Sequence, residues 1–181
     1  MTDRNTAANR LPVRFERTYD GPVDDLWDLW TTKDGFEAWW GPEGFRVEVS
    51  KIEPRVGGKL HYDMIATRAE EVAYMEKEGW AVRHATHGTF VEFEPKRRLK
   101  LRHRIDFIPD AEPYDNDMLV ELIPDGARVR MVVEIEPHRD EHWTRSAAQG
   151  LESQLTKVPA ALAKRRSKNA MPAPADDAER Q

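Results

Sequence analysis

The sequence predicts an α+β domain in which one curved antiparallel sheet wraps around a long C-terminal helix, with two short helices near the N-terminus. Short apolar-alternating stretches follow one another across the middle of the chain, joined by turn residues, which is the pattern of an antiparallel sheet with one face to bury. Only one long apolar stripe is available to cover that face, and it lies in the last third of the sequence. The 181 residues, 39% hydrophobic and 34% charged, fit one domain with a single core.

The elements follow in order. Val13 to Tyr19 alternates apolar and polar side chains and reads as a half-buried strand. Asp20 and Pro22 then open a helix whose Val23, Leu26, Trp27 and Trp30 share one face. A second helix, KDGFEAWW, stops at Gly41-Pro42. Its adjacent Trp39 and Trp40 point about 100° apart on a helix, so one ring is expected in the core and the other at a second apolar surface. Strands are then predicted at 45–54, 57–65, 86–95, 98–107, 117–124 and 127–137, with turns at Gly57-Gly58, Pro95 to Arg98 and Pro124-Asp125-Gly126. Gly57-Gly58 is expected where a Cβ would collide. Residues 140–166 form the long helix, with Trp143, Ala147, Leu151, Leu155, Val158 and Leu162 on its stripe and Pro159 kinking its last turns. A curved sheet gripping one helix leaves a tapering space between them.

This order resembles the helix-grip superfamily of START and birch-pollen-allergen-like domains (SRPBCC). Within it, the chain is similar to the bacterial homologues of the C-terminal domain of the heat-shock-protein ATPase activator (AHSA-type). The resemblance rests on RTYDGPVDDLWDLWTTKDGFEAWWGP (17–42), RVGGKLHYDM (55–64), GTFVEFEPKRRL (88–99) and the Trp143-to-Leu162 helix, and covers about residues 11 to 165. The chain departs from the family in two places. Gly150-Leu151 stands where Gly-Trp is usual, which implies a larger cavity there. Residues 66–85 exceed a simple hairpin, and the spacing of Val72, Met75 and Glu76 predicts a helical flap over one end.

Strand parity selects the residues that face the helix. Leu99, Leu101, His103, Ile105 and Phe107 share a face, so His103 is the one polar group on an apolar surface. It is either a satisfied core histidine or a polar anchor for a ligand. Tyr62 lies on one face with Leu60 and Met64, and brings a hydroxyl suited either to orienting a ligand or to a backbone bond. Met64, Met118 and Met131 fall on inward phases with Val120 and Val133, where methionine adapts to core and ligand alike. The expected ligand-binding set is Trp40, Tyr62, Met64, Trp80, Phe93, Leu101, His103, Met118, Val120, Met131, Val133, Trp143, Ala147 and Leu151.

Other chemistries find little support. No cysteine is present, which excludes disulfides and thiolate metal sites. His84 and His87, or His138 and His142, are spaced for a metal, but Pro137 and Asp140 put His138 ahead of the helix. No Gly-x-Ser-x-Gly elbow or phosphate loop occurs. The basic run 94–104 falls on the outward parity and reads as a solvated face. The net charge of −5 argues against nucleic acid. Neither a signal peptide nor a membrane span is recognised, so a cytoplasmic address is expected. Residues 1–10 and 167–181 are expected to be unstructured, with one domain over 11–166.

The expected function is binding of a small hydrophobic or aromatic molecule in an internal cavity, by a monomer or weak homodimer without cofactor or metal. The resemblance implies three forms of it: a carrier or sequestering protein, including self-resistance to a toxic natural product; an enzyme of the cyclase or dehydratase type; or a co-chaperone acting through its surface. Only His103 and Tyr62 are placed for turnover, so binding without turnover is the first expectation, with no catalytic residue assigned.

Overall fold

The computed structural model describes residues 10–108 and 110–170. Its elements are β1 (Val13–Asp20), α1 (Val23–Thr31), α2 (Lys33–Trp39), β2 (Phe45–Ile52), β3 (Lys59–Ala66), α3 (Ala69–Lys77), β4 (Arg83–Glu94), β5 (Arg98–Ile105), β6 (Tyr114–Asp125), β7 (Arg128–Ile135), α4 (Glu141–Leu155) and α5 (Val158–Ala170). The strands form one seven-stranded sheet in the order β1-β7-β6-β5-β4-β3-β2. Every pairing is antiparallel. Register shifts between Val49 and Lys51 on β2, and between Phe90 and Glu92 on β4, are the kind of irregularity that bends a strand and increases its twist. The two short helices bridge from one edge strand, β1, to the other, β2.

Local chemistry sets several boundaries. Asp24 and Asp25 sit in the first turn of α1, where the helix dipole favours negative charge. Thr32 caps α2 by accepting from the Gly35 amide at 3.1 Å. Asp140 caps α4, accepting from His142 and Trp143 amides. Gly57 and Gly58 differ in their reasons. Gly57 takes a φ of +76°, whereas a Cβ on Gly58 would lie 1.9 Å from the Glu53 carbonyl oxygen.

Four expectations are corrected. The C-terminal helix is two helices, not one kinked helix. α4 ends at Leu155, Thr156 and Lys157 form a turn, and Pro159 sits in the first turn of α5, where an amide proton would have no partner anyway. α5 also continues to Ala170, so Ser167 to Ala170 belong to its end rather than to a tail. Residues 171–181 and 1–9 lie outside the described part. β4 begins at Arg83 and β6 at Tyr114, each three residues before the expected start, because the paired neighbours β3 and β5 supply ladder partners for polar residues that carry no strand signal alone.

The core fills one end of the concave face. Trp30, Phe36, Trp39, Leu99, Leu122 and Met131 are among its most buried members. α5 packs against α1 and α2 over this end, and α1 reaches β6. The Trp30 indole donates to Met131 Sδ at 3.3 Å, and the Trp30 and Trp39 rings meet edge to face at 4.7 Å. On the opposite face, Arg98, Lys100, Arg102 and Arg104 pair with Glu92, Glu121, Asp117 and Asp115, so the basic run is neutralised strand by strand. No helix among the described residues is long and apolar enough to cross a membrane.

Candidate functional site

The other end of the concave face is open. α4 stands away from the sheet there, and a cavity of about 750 Å³ separates them, within the range of small-molecule sites. α4 is fastened near its C-terminal end instead: Gln154 Oε1 accepts from the Gly41 amide at 3.0 Å, and Ser153 Oγ from the Glu43 amide at 3.1 Å. The middle of α4 can therefore bridge the space without collapsing into it.

The two adjacent tryptophans separate at the end of α2. Trp39 is wholly buried in the core, its indole donating to the Leu29 carbonyl at 3.0 Å. Trp40 has already left the helix, with extended φ and ψ of −67° and 149°, and its ring turns to the cavity wall. Its indole donates to the Tyr62 hydroxyl at 3.0 Å. Burial pushes the Tyr62 hydroxyl up to about 12, a shift the Trp40 bond partly offsets, so Tyr62 keeps its proton at neutral pH.

His103 lines the same wall from β5 and is 8% exposed. Its partner across the ladder is Gly88, where a Cβ would come within 3.5 Å of the imidazole Cδ2. The ring lies nearly parallel to Trp40, at 8° and 6.4 Å, and steeply inclined to Tyr62, also at 6.4 Å. Its Nε2 is sealed from solvent and has no hydrogen-bond partner among the described residues. Burial draws its pKa down to about 4, against the opposing field of Asp117, so the ring is neutral at pH 7.

Asn116 and Met118 of β6 and Ile135 of β7 continue the wall. Asn116 Nδ2 donates to the Glu136 carbonyl at 3.0 Å. His138 closes one end, its Nδ1 at 2.6 Å from the Tyr114 hydroxyl. His84 and His138 both have pKa values lowered, chiefly by burial. Across the space, α4 presents Trp143, Ala147, Gly150 and Leu151. A Cβ on Gly150 would meet nothing within 4 Å, so the Gly150-Leu151 pair does border open volume.

The segment after β3 forms the cover. α3 contributes Glu71, Tyr74 and the buried Met75, and Gly79, Trp80 and Ala81 follow. Trp80 and Tyr74 meet edge to face at 6.0 Å, with 42% and 56% of their surfaces exposed. The cover is anchored at its base, where the Thr67 amide donates to the Gly44 carbonyl at 2.8 Å and Ala66 to Val82 at 2.9 Å. Phe107 meets Trp143 at 6.0 Å beside it.

The sequence-predicted residues thus divide into two groups. Trp40, Tyr62, Met64, Trp80, His103, Met118, Trp143, Ala147 and Leu151 all line the cavity. Phe93, Leu101, Val120, Met131 and Val133 do not; they belong to the core and its margin, because the concave face they share with His103 and Met118 is covered directly by helices at their end. Phe93, for example, packs on Trp27 of α1 at 5.1 Å. Asn116, Thr86, His84, His138, Gln154 and Phe45 also line the space and were missed. Asn116 shares the inward parity of Met118 but lies one residue ahead of the strand that the pattern marks at 117–124. Among the described residues, no group of three or more histidine, cysteine or carboxylate side chains is placed to hold a metal.

The sequence matches the Activator of Hsp90 ATPase homolog 1-like protein family over residues 20–163. The chain belongs to this family. No curated protein matches it significantly. Among solved structures, a protein from Arthrobacter aurescens is similar at 20% identity and a TM-score of 0.68, over 94% of this chain and 92% of that one. An AHSA1 protein from Silicibacter pomeroyi is similar at 18% identity and a TM-score of 0.67, over 85% of this chain and 99% of that one. CalU16 from Micromonospora echinospora shares the fold at 17% identity and a TM-score of 0.57, over 87% and 79%.

Proposed function

We propose that this AHSA1-type domain binds a small, largely apolar or aromatic molecule between its sheet and α4. The observation that carries the reading is the cavity of about 750 Å³ whose wall is mostly aromatic and aliphatic, held open although the rest of the same face is tightly packed. An empty apolar space of this size forfeits dispersion contacts, and a ligand restores them. The aromatic cover formed by Tyr74 and Trp80 supports capture and retention, as in a carrier or a sequestering protein. The family is described by its likeness to an activator of the Hsp90 ATPase, whereas an interior site favours binding over action through the surface.

A second reading, turnover of the cyclase or dehydratase type, has one observation in its favour: His103 is a neutral imidazole on the cavity wall that makes no side-chain hydrogen bond among the described residues. Tyr62 is the nearby hydroxyl, and its raised pKa suits it to donating a hydrogen bond rather than to acting as a base.

Native mass spectrometry of freshly purified protein tests the binding reading. A co-purifying small molecule that is lost on denaturation, and whose mass is unchanged after incubation, is the expected result. A ligand-free spectrum together with no binding from an aromatic compound library overturns it. Conversion of the bound compound to a product of different mass favours the second reading.

A further inference from the structure

The wall chemistry of this cavity narrows the class of molecule it takes, provided that the cavity is a binding site as proposed. None of the described lining residues is lysine or arginine. The one carboxylate is Glu71, on the cover, with its Oε1 3.4 Å from Arg68 and its Oε2 sealed from solvent without a hydrogen-bond partner. An organic anion passing this cover would shed its water and find no cation inside to replace it. The other polar groups are hydroxyl, amide and imidazole: Tyr62, Thr86, Asn116, Gln154 and the histidines His84, His103 and His138, of which His84 is only half-buried. Tyr62 already serves the Trp40 indole, Asn116 the Glu136 carbonyl, Gln154 the Gly41 amide and His138 the Tyr114 hydroxyl. His103 is the buried group left over: its Nε2 is sealed even from the cavity, and its Nδ1, which makes no hydrogen bond among the described residues, is the ring nitrogen left to meet a ligand.

We propose that the cavity selects neutral molecules carrying a hydroxyl or comparable hydrogen-bonding group and rejects organic anions, with the His103 imidazole as the partner of that group. A hydroxyl both donates and accepts, so it satisfies a neutral imidazole in either tautomer. Pairing with the imidazole rewards the polar group, while the surrounding apolar wall rewards the rest of the ligand.

Three matched probes test the proposal: 1-pyrenemethanol, 1-methylpyrene and 1-pyrenecarboxylate, titrated at pH 7 and read by energy transfer from tryptophan to pyrene. The alcohol is expected to bind most tightly, methylpyrene about tenfold more weakly, and the carboxylate roughly 100-fold more weakly. His103→Phe should erase the advantage of the alcohol over methylpyrene, and His103→Gln, which keeps a hydrogen-bonding side chain, should retain most of it. The ranking by the unmodified protein stands even where a variant fails to fold. A carboxylate that binds as well as the alcohol overturns the charge selection while leaving the binding reading intact. Equal binding of alcohol and methylpyrene overturns the role of His103. Failure of all three probes counts against the cavity as a binding site and carries the inference down with it.

Discussion

The two ends of the concave face put the same strands to opposite uses. On β5, Leu99 and Leu101 go to the packed end and His103 and Ile105 to the cavity; on β6, Val120 and Leu122 are packed away from the cavity and Asn116 and Met118 border it. On β7 the division falls between Val133 and Ile135. The boundary is straight from β6 to β7, where Met118 pairs with Ile135 and Val120 with Val133, and steps by one cross-strand pair at β5, where Leu101, opposite Met118, is already packed. Nothing in the alternation changes at this line. What changes is the covering element: α1, α2 and α5 press on one side, and α4, fastened near its C-terminal end, bridges the other. A uniform apolar face thus becomes half core and half cavity through the distance of its roof.

That contrast makes the two ends respond differently to truncation. Trp39→Ala at the packed end should cost about 3–5 kcal/mol, because the surrounding close-packed rings relax only partly into the hole. Met118→Ala at the cavity end should cost clearly less, since its side chain already borders open volume. Urea denaturation of both variants measures the gap, and equal losses would mean that the cavity end is packed in solution.

Acid provides the next largest effect. His103 has a folded pKa of about 4, below its ordinary value near 6.5, so the unfolded chain binds its proton first as pH falls. Stability from this group is complete above the ordinary histidine value and is lost as pH drops from about 6.5 to 4, by on the order of 3 kcal/mol. The half-buried His84 and the buried His138 shift in the same direction and deepen the loss. Thermal melts across this window should show the decline, and His103→Phe should flatten it. An unflattened profile would assign the acid sensitivity elsewhere.

Smaller again is the polar joint between the ends. Tyr62→Phe removes the acceptor of the Trp40 indole and should cost about 1–2 kcal/mol. Trp40 fluorescence offers the check, because loss of the bond alters the surroundings of its ring. The smallest effect on stability belongs to the cover. Trp80→Ala, at a side chain 42% exposed, should change stability by less than about 1 kcal/mol yet speed ligand release several-fold. Stopped-flow dissociation reads the rate, and hydrogen exchange of residues 66–85 with and without ligand reads the motion. Protection that ignores the ligand would make this segment a structural insertion only.

Much of this architecture is determined by sequence alone, because strand alternation and a single amphipathic stripe are local properties. Val13 to Tyr19, the helix starts at Pro22 and Thr32, and the inward phase of Tyr62, His103 and Met118 all come from spacing and capping chemistry. The break before Pro159 was legible as a disturbance but not as two helices, since its outcome depends on α5 finding α1 and α2 to pack against. The starts of β4 and β6 were hidden because His84, Tyr114 and Asn116 become strand residues only through their neighbours. Tertiary structure alone decided that Leu101 and Val120 are core while His103 and Met118 border a cavity. Parity tells which face a side chain takes; only the position of the roof, set by contacts between residues such as Gly41 and Gln154 more than a hundred positions apart, tells whether that face is filled.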